Sequence, residues 1–187
     1  MARLTLPSVE YLREILDYNP VTGSLTWKPR PLHHFVSPHG MSIWNARYAM
    51  RTAGTTGIAK QAAVIAVIIN RKRFLAHRII WKIVCGEDPP FTIDHKNRNP
   101  TDNAWLNLRS ADLSQQGFNR SIETGNTSGF KGVSWHSGGN KWLAQIVARG
   151  CHYSLGLYST PEAAHEAYCT AAKEIHGEFW SDGKPGR

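Results

Sequence analysis

Ile93-Asp94-His95-Lys96-Asn97-Arg98-Asn99-Pro100, followed by Asn103 and then Asn107-Leu108-Arg109, is the stretch on which the reading of this chain turns. Phe91-Thr92-Ile93 reads as a short strand, so an acid and an imidazole stand side by side where it ends. Phosphodiester hydrolysis needs both kinds of group. A carboxylate can hold a divalent metal that stabilises the leaving oxygen and the charged phosphate. A neutral imidazole can take a proton from water near pH 7. On its own, an Asp-His pair is better described as part of a loop whose Asp and Asn side chains tie turns. The Asn-rich segment that follows shifts the balance, as does the helix announced by the capping-box spacing of Asp112-Leu113-Ser114-Gln115.

Moving toward the N-terminus, Pro89-Pro90 breaks the chain. Residues 73–85 read as a helix or strand carrying His77, Arg78 and Trp81, and residues 60–69 as a strand. The longest apolar run, Ala62 to Ile69, is rich in Val and Ile and far short of the ~20 residues that span a bilayer. Residues 28–57, rich in Pro, Gly and His with little periodicity, read as loop. His33, His34 and His39 within them have no second cluster of metal ligands nearby. Residues 8–18 predict a short helix capped by Ser8, Asn19-Pro20-Val21-Thr22-Gly23 a turn, and Leu25-Thr26-Trp27 a strand.

Moving toward the C-terminus, residues 121–129 have linker composition. Beyond them, Lys131–His136, Lys141–Val147 and His152–Tyr158 read as three short strands split by Gly-rich turns. Thr160-Pro161-Glu162 opens a helix that Gly177 ends. Ala164, Ala167, Tyr168, Ala171 and Ile175 make one of its faces, and the small alanines let it lie close on the sheet.

The formal net charge of +8 favours a polyanionic partner. It is unevenly spread. Residues 1–75 hold ten Lys/Arg against three Asp/Glu, whereas residues 123–187 carry six of each. In the neutral part, Glu162, Glu166, Glu174 and Glu178 fall in the helical stretch, while Lys131, Lys141, Arg149, His136 and His152 fall in strand-like segments. If helix and strands pack as two layers, one face is acidic and the other cationic. The run Arg71-Lys72-Arg73 is either a solvated turn or a contact to phosphates, which position a protein without specifying sequence. Cys85, Cys151 and Cys169 are scattered and suggest neither a disulfide framework nor a zinc knuckle, and no signal peptide is evident. A soluble, cytoplasmic protein is expected (host-cell cytoplasm if phage-encoded), with no membrane and no small-molecule substrate.

The Asp94–Arg109 segment, the lead-in His77-Arg78-Ile79-Ile80-Trp81 and the early Tyr18-Asn19-Pro20-Val21-Thr22-Gly23 with Leu25-Thr26-Trp27 resemble the HNH family, in the form found in phage and intron homing endonucleases. The resemblance covers roughly residues 10–120. It implies a ββα-metal fold, two strands and a helix around one divalent ion, Mg²⁺ or Mn²⁺. By position it makes His95 the general base, Asp94 a metal ligand, and Asn107 the residue that braces the loop through backbone hydrogen bonds. The second metal ligand, an Asn or His in the family, falls here on Gln116; Asp112 and Asn119 are neighbouring oxygen donors that could substitute. Arg109 or Arg98 is the candidate for stabilising the pentavalent phosphate.

Residues 127–180 resemble the Apetala/ethylene-response-factor DNA-binding domain through Ser128-Gly129-Phe130-Lys131-Gly132-Val133, Lys141-Trp142, Leu155-Gly156-Leu157-Tyr158, Pro161-Glu162-Ala163-Ala164 and His176-Gly177-Glu178-Phe179. That resemblance implies a three-stranded antiparallel sheet laid into the major groove with one helix behind it. By position Lys131, Ser134, His136, Gln145, His152 and Ser154 then face double-stranded DNA; Lys141 and Arg149 join them through the charge of the strand segments, and Arg71 and Arg73 are the candidates for phosphate contact. Trp135 and Trp142 read as core.

The expectation is an α+β protein. A nuclease domain spans 1–122, with its ββα core at about 76–122. A linker follows at 123–127, and a sheet-on-helix DNA-binding domain at 128–182. It works as monomer or homodimer. The rival reading is a DNA-binding regulator whose nuclease centre has decayed. An RNA-binding module is disfavoured because no aromatic base-stacking motif of the RNA families is present.

Overall fold

A computed structural model describes residues 5–183 apart from 60, 61, 120, 121, 123, 124 and 149; the side chains of residues 59, 113 and 116 also lie outside the description. The chain forms two compact units, residues 1–95 with 99–110, and residues 96–98 with 111–187.

The first unit begins with α1 (Val9–Ile15), whose N-terminus is capped by the Ser8 hydroxyl accepting from the Tyr11 amide. The helix predicted over 8–18 stops early, because residues 16–18 turn into β1 (Leu16–Tyr18), paired antiparallel with β2 (Leu25–Trp27). A 3₁₀ turn at Leu32–His34 and α2 (Pro38–Tyr48) follow. This corrects the reading of 28–57 as loop. Ser37 caps α2 by accepting from the Gly40 amide, and Pro38 supplies a preset φ in its first turn. None of the α2 residues is fully buried, so the helix carries no apolar stripe for periodicity to detect.

β3 (Thr55–Ala59), β4 (Ala62–Ile69) and β5 (Lys72–Leu75) form an antiparallel sheet in the order β3-β4-β5. Between β4 and β5 the two-residue turn Asn70-Arg71 has both residues at positive φ, 50° and 62°, the geometry of a type I′ hairpin. Residues 73–85 thus resolve into the end of β5 and α3 (Ala76–Cys85), which Gly86 ends in the left-handed conformation. α3 buries Ile79 and Ile80 against Leu12, Ile15, Leu16, Leu25, Val67 and Phe74, and this is the main core of the unit. β6 (Thr92–His95) then pairs with β7 (Leu108–Ala111).

In the second unit, α4 (Leu113–Phe118) starts with a capping box: the Asp112 carboxylate accepts from the Gln115 amide, and the Gln115 side chain accepts from the Asp112 amide. β8 (Val133–His136), β9 (Lys141–Ala148) and β10 (Cys151–Tyr158) form an antiparallel sheet with β9 in the middle. Behind it lies α5 (Pro161–His176), capped by Thr160. Val133, Trp142, Ala144, Ile146, Leu155 and Tyr158 pack on Ala164, Tyr168 and Ala172 of the helix. Gly132 lets the chain pass the ring of Tyr168: a Cβ there would lie 2.1 Å from the ring. Among the described residues, no helix is long and apolar enough to cross a membrane.

Candidate active site and nucleic-acid interface

The extended end of β6 places Asp94 and His95 at the edge of the first unit's core, both more than nine-tenths buried. Asp94 is held by Arg109 of the paired strand β7. The guanidinium donates to Asp94 Oδ2 from Nε at 2.9 Å and from Nη2 at 2.7 Å, and Arg109 is itself buried. A buried carboxylate in so close an ion pair is fixed in position. Arg109 therefore orients Asp94.

His95 is oriented from the other side of the loop. Its Nε2 lies 3.1 Å from Asn103 Oδ1, and Asn103 Nδ2 donates to the Thr101 carbonyl, which fixes the amide with its oxygen toward the ring. A carboxamide oxygen only accepts, so Nε2 carries the hydrogen and the neutral ring keeps its basic lone pair on Nδ1. Burial pushes the His95 pKa down; the Asn103 hydrogen bond and the nearby carboxylates of Asp94 and Asp102 oppose it without cancelling it. The ring is then a neutral base at neutral pH. The His77 ring meets it edge-on, with centroids 5.3 Å apart.

The loop between β6 and β7 is tied internally and from outside. Asn107 Nδ2 donates to the Asp102 carbonyl at 2.7 Å, and Asn99 Oδ1 accepts from the amide and hydroxyl of Thr101. From the β1–β2 hairpin, Tyr18 donates its hydroxyl to the Asn103 carbonyl at 2.9 Å, and the Pro20 carbonyl accepts from the Trp105 amide. Burial, with Asp102 adding to it, pushes the Tyr18 pKa to about 12, so the phenol stays a donor. Gly23 lies against the same segment: a Cβ there would fall 2.3 Å from the Asn103 carbonyl carbon and the Ala104 nitrogen. Asn103, Tyr18 and Gly23 all stand in stretches that the sequence singles out, but none has an assigned role there. Only packing shows that they meet.

For a divalent cation, Asp94 offers a hard carboxylate oxygen, and an amide oxygen is of the same chemical kind; such donors suit Mg²⁺ or Mn²⁺. The residues present thus fit the ion in kind. The side chain of Gln116 lies outside the described residues. Asp112 is engaged as the cap of α4, and Asn119 is buried. A second grouping, Glu14 with His33 and His34, is of another character. His34 Nδ1 accepts from Arg30 Nε, which leaves the ring hydrogen on Nε2, pointing at Glu14 Oε2 3.0 Å away. That nitrogen presents a hydrogen where a metal requires a lone pair.

In the second unit, strand register sorts the side chains of the sheet. Val133, Trp142, Ala144 and Ile146 point to α5, so Ser134, His136, Lys141, Leu143, Gln145, Val147, His152, Ser154 and Leu157 share the opposite face. Six of the eight expected DNA-facing residues of this unit lie there together: Ser134, His136, Lys141, Gln145, His152 and Ser154. Arg149 lies outside the described residues. Lys131 is turned inward instead. Its Nζ donates to the Phe118 carbonyl at 2.7 Å, and burial pulls its pKa down to about 8. Trp142 packs in the core, whereas Trp135 meets it edge-on and stays half-exposed. Glu162, Glu166 and Glu174 are exposed on α5, the other layer. In the first unit, Arg71 and Arg73 are exposed at and beside the β4–β5 turn, and the Arg73 guanidinium lies over Gly57.

Residues 74–116 match the HNH endonuclease family, and residues 128–178 match the AP2 domain. Over 104 residues the chain is 32% identical to Protein 3.8 of Escherichia phage T7, a match covering 55% of this chain and 85% of that protein. Over 110 residues it is 31% identical to the uncharacterized HNH endonuclease L560 of Acanthamoeba polyphaga mimivirus, covering 58% of this chain and 56% of that one. No solved structure matches. The two matched segments are those of a nuclease and of a DNA-binding module. The chain thus carries an HNH endonuclease segment followed by a C-terminal AP2-like domain.

Proposed function

We propose that the chain is a free-standing, metal-dependent DNA endonuclease of the homing type, in which residues 1–122 cut and residues 128–182 locate the site. The observation that carries this reading is the His95 ring: buried, held neutral, and fixed by Asn103 with its basic nitrogen defined. His95 accepts the proton of a water aligned with the scissile phosphorus, and Asn103 and Asn107 keep the loop in register while it does so. Asp94, oriented by Arg109, and Gln116 are the proposed ligands of Mg²⁺ or Mn²⁺, which when bound supplies positive charge to the phosphate and the leaving oxygen. The products are a 5′-phosphate and a 3′-hydroxyl. Arg71 and Arg73 add phosphate contacts. One centre per chain cuts one strand, so a double-strand break needs a homodimer or rebinding. The phage and giant-virus relatives suit work in a host-cell cytoplasm.

The test is incubation of wild type and His95→Ala with supercoiled DNA, with and without Mg²⁺ or Mn²⁺. Metal-dependent nicking by the wild type that vanishes in the variant, with gel-shift binding kept by both, is the expected result. Binding without cleavage by either protein would favour a DNA-binding regulator with a decayed centre, and Gln116→Asn would then show whether the ligand change is the cause.

A further inference from the structure

Strand register arranges the open face of the β8–β10 sheet in rows. At one end His136 lies beside Lys141. Next come Ser134, Leu143 and Leu157, then Gln145 beside Ser154, and at the far end Val147 beside His152. Every Lys or His on the face is in an end row, and the two middle rows carry no charge. The strands contain no acid and no arginine: from Val133 to Ala148 and from Cys151 to Tyr158 the sole full cation is Lys141. Leu157 is 44% exposed and Val147 41% exposed, so apolar surface is offered outward beside the glutamine.

A sheet face that enters the major groove meets base edges at its centre and phosphates at its margins. The groove's code assigns guanine to arginine or lysine, adenine N6 and N7 to glutamine or asparagine, and the thymine methyl to apolar contact; serine hydroxyls discriminate little. The centre of this face holds a glutamine, serines and leucines, and nothing suited to guanine. We infer that the C-terminal sheet reads A·T base pairs, with Gln145 on adenine and Leu143 and Leu157 against thymine methyl groups. Lys141, His136 and His152 at the ends serve phosphates. The inference rests on the proposed placement of this face on DNA and goes further by naming the base composition of its target.

The full chain, kept from cutting by EDTA, is used to select duplexes from a random-sequence pool at low salt, and selected sites are then measured by gel shift. A·T pairs are expected in the selected core, with a G·C replacement costing roughly tenfold or more in affinity. Replacing core thymines by deoxyuridine removes the methyl group and leaves every hydrogen bond of the base pair intact. It should weaken wild type about threefold to fivefold per methyl and leave Leu157→Ser, changed at an exposed position, less affected. Gln145→Arg should move one core position toward guanine. A G·C core, or indifference to deoxyuridine, overturns the inference while leaving DNA binding intact. Failure to retain any duplex at low salt overturns the DNA-binding placement itself, and this inference with it.

Discussion

The β6–β7 hairpin and the open face of the β8–β10 sheet carry the side chains proposed to cut and to bind, and they hold them in opposite ways. In the hairpin, Asp94, His95, Asn103 and Arg109 are all more than nine-tenths buried and bonded in two pairs, Asp94 with Arg109 and His95 with Asn103. On the sheet, His136, Lys141, His152 and Ser154 are exposed. A reacting group needs its geometry fixed before substrate arrives, and burial with paired hydrogen bonds does that. A recognition face must give its side chains to DNA, so it keeps them in water until binding. Substitutions should therefore separate into two classes. In the hairpin they should cost stability together with activity. On the sheet they should cost affinity alone.

The largest effect expected is that of His95→Ala, which should lower the cleavage rate between about 10²- and 10⁴-fold while the Kd for DNA is unchanged. A parallel loss of binding would break the division. Arg109→Ala leaves Asp94 buried without its guanidinium and should cost about 3–5 kcal/mol of unfolding free energy in urea titrations; an unchanged midpoint would mean that the carboxylate is solvated instead. Asn103→Ala should cost about 1–3 kcal/mol and lower kcat with KM for DNA unchanged, because the ring it holds still sits in place but turns more freely. Lys141→Ala should leave stability unchanged, weaken binding a few-fold on all sequences, and flatten the salt dependence of log K by about 1.

Lys131 gives an effect whose pH dependence distinguishes it from the sheet residues. Its folded pKa of about 8 lies below the ordinary 10.5, so folding opposes its protonation. Its favourable contribution is fully present above pH 10.5 and is lost as pH falls through about 8. Lys131→Met removes that dependence. The Tm of the variant relative to wild type should thus be most favourable at neutral pH and should fall back as pH rises from 8 toward 10.5. A constant difference across that range would place the ammonium in solvent.

The caps and the sheet of the second unit were legible because their signals are local: Asp112 with Gln115, Thr160 with Pro161, and alternation along β9 are all carried by residues near one another in sequence. α2 was not, although Ser37-Pro38 is a proper start, because a helix with no fully buried residue has no apolar rhythm. Asp94 and His95 stood out as an adjacent pair. The partners that set their chemistry stand further off, Arg109 fifteen residues and Asn103 eight residues along the chain. Lys131 departs from its expected outward place for a related reason. Position in a motif does not say which way a long side chain turns, and the Phe118 carbonyl offered this one a partner inside.

The hold of the β1–β2 turn on the β6–β7 loop bears on where this enzyme can be divided. Gly23 abuts the peptide between Asn103 and Ala104, Tyr18 caps the Asn103 carbonyl, and Pro20 anchors Trp105. The nuclease motif is contiguous in sequence from about residue 74, yet its β6–β7 loop is clamped by a hairpin some eighty residues upstream. A fragment cut to the motif would keep every named catalytic residue and lose the splint that sets their spacing. In this chain the portable unit is the motif together with its N-terminal hairpin, and grafting the one without the other should transplant the residues but not the enzyme.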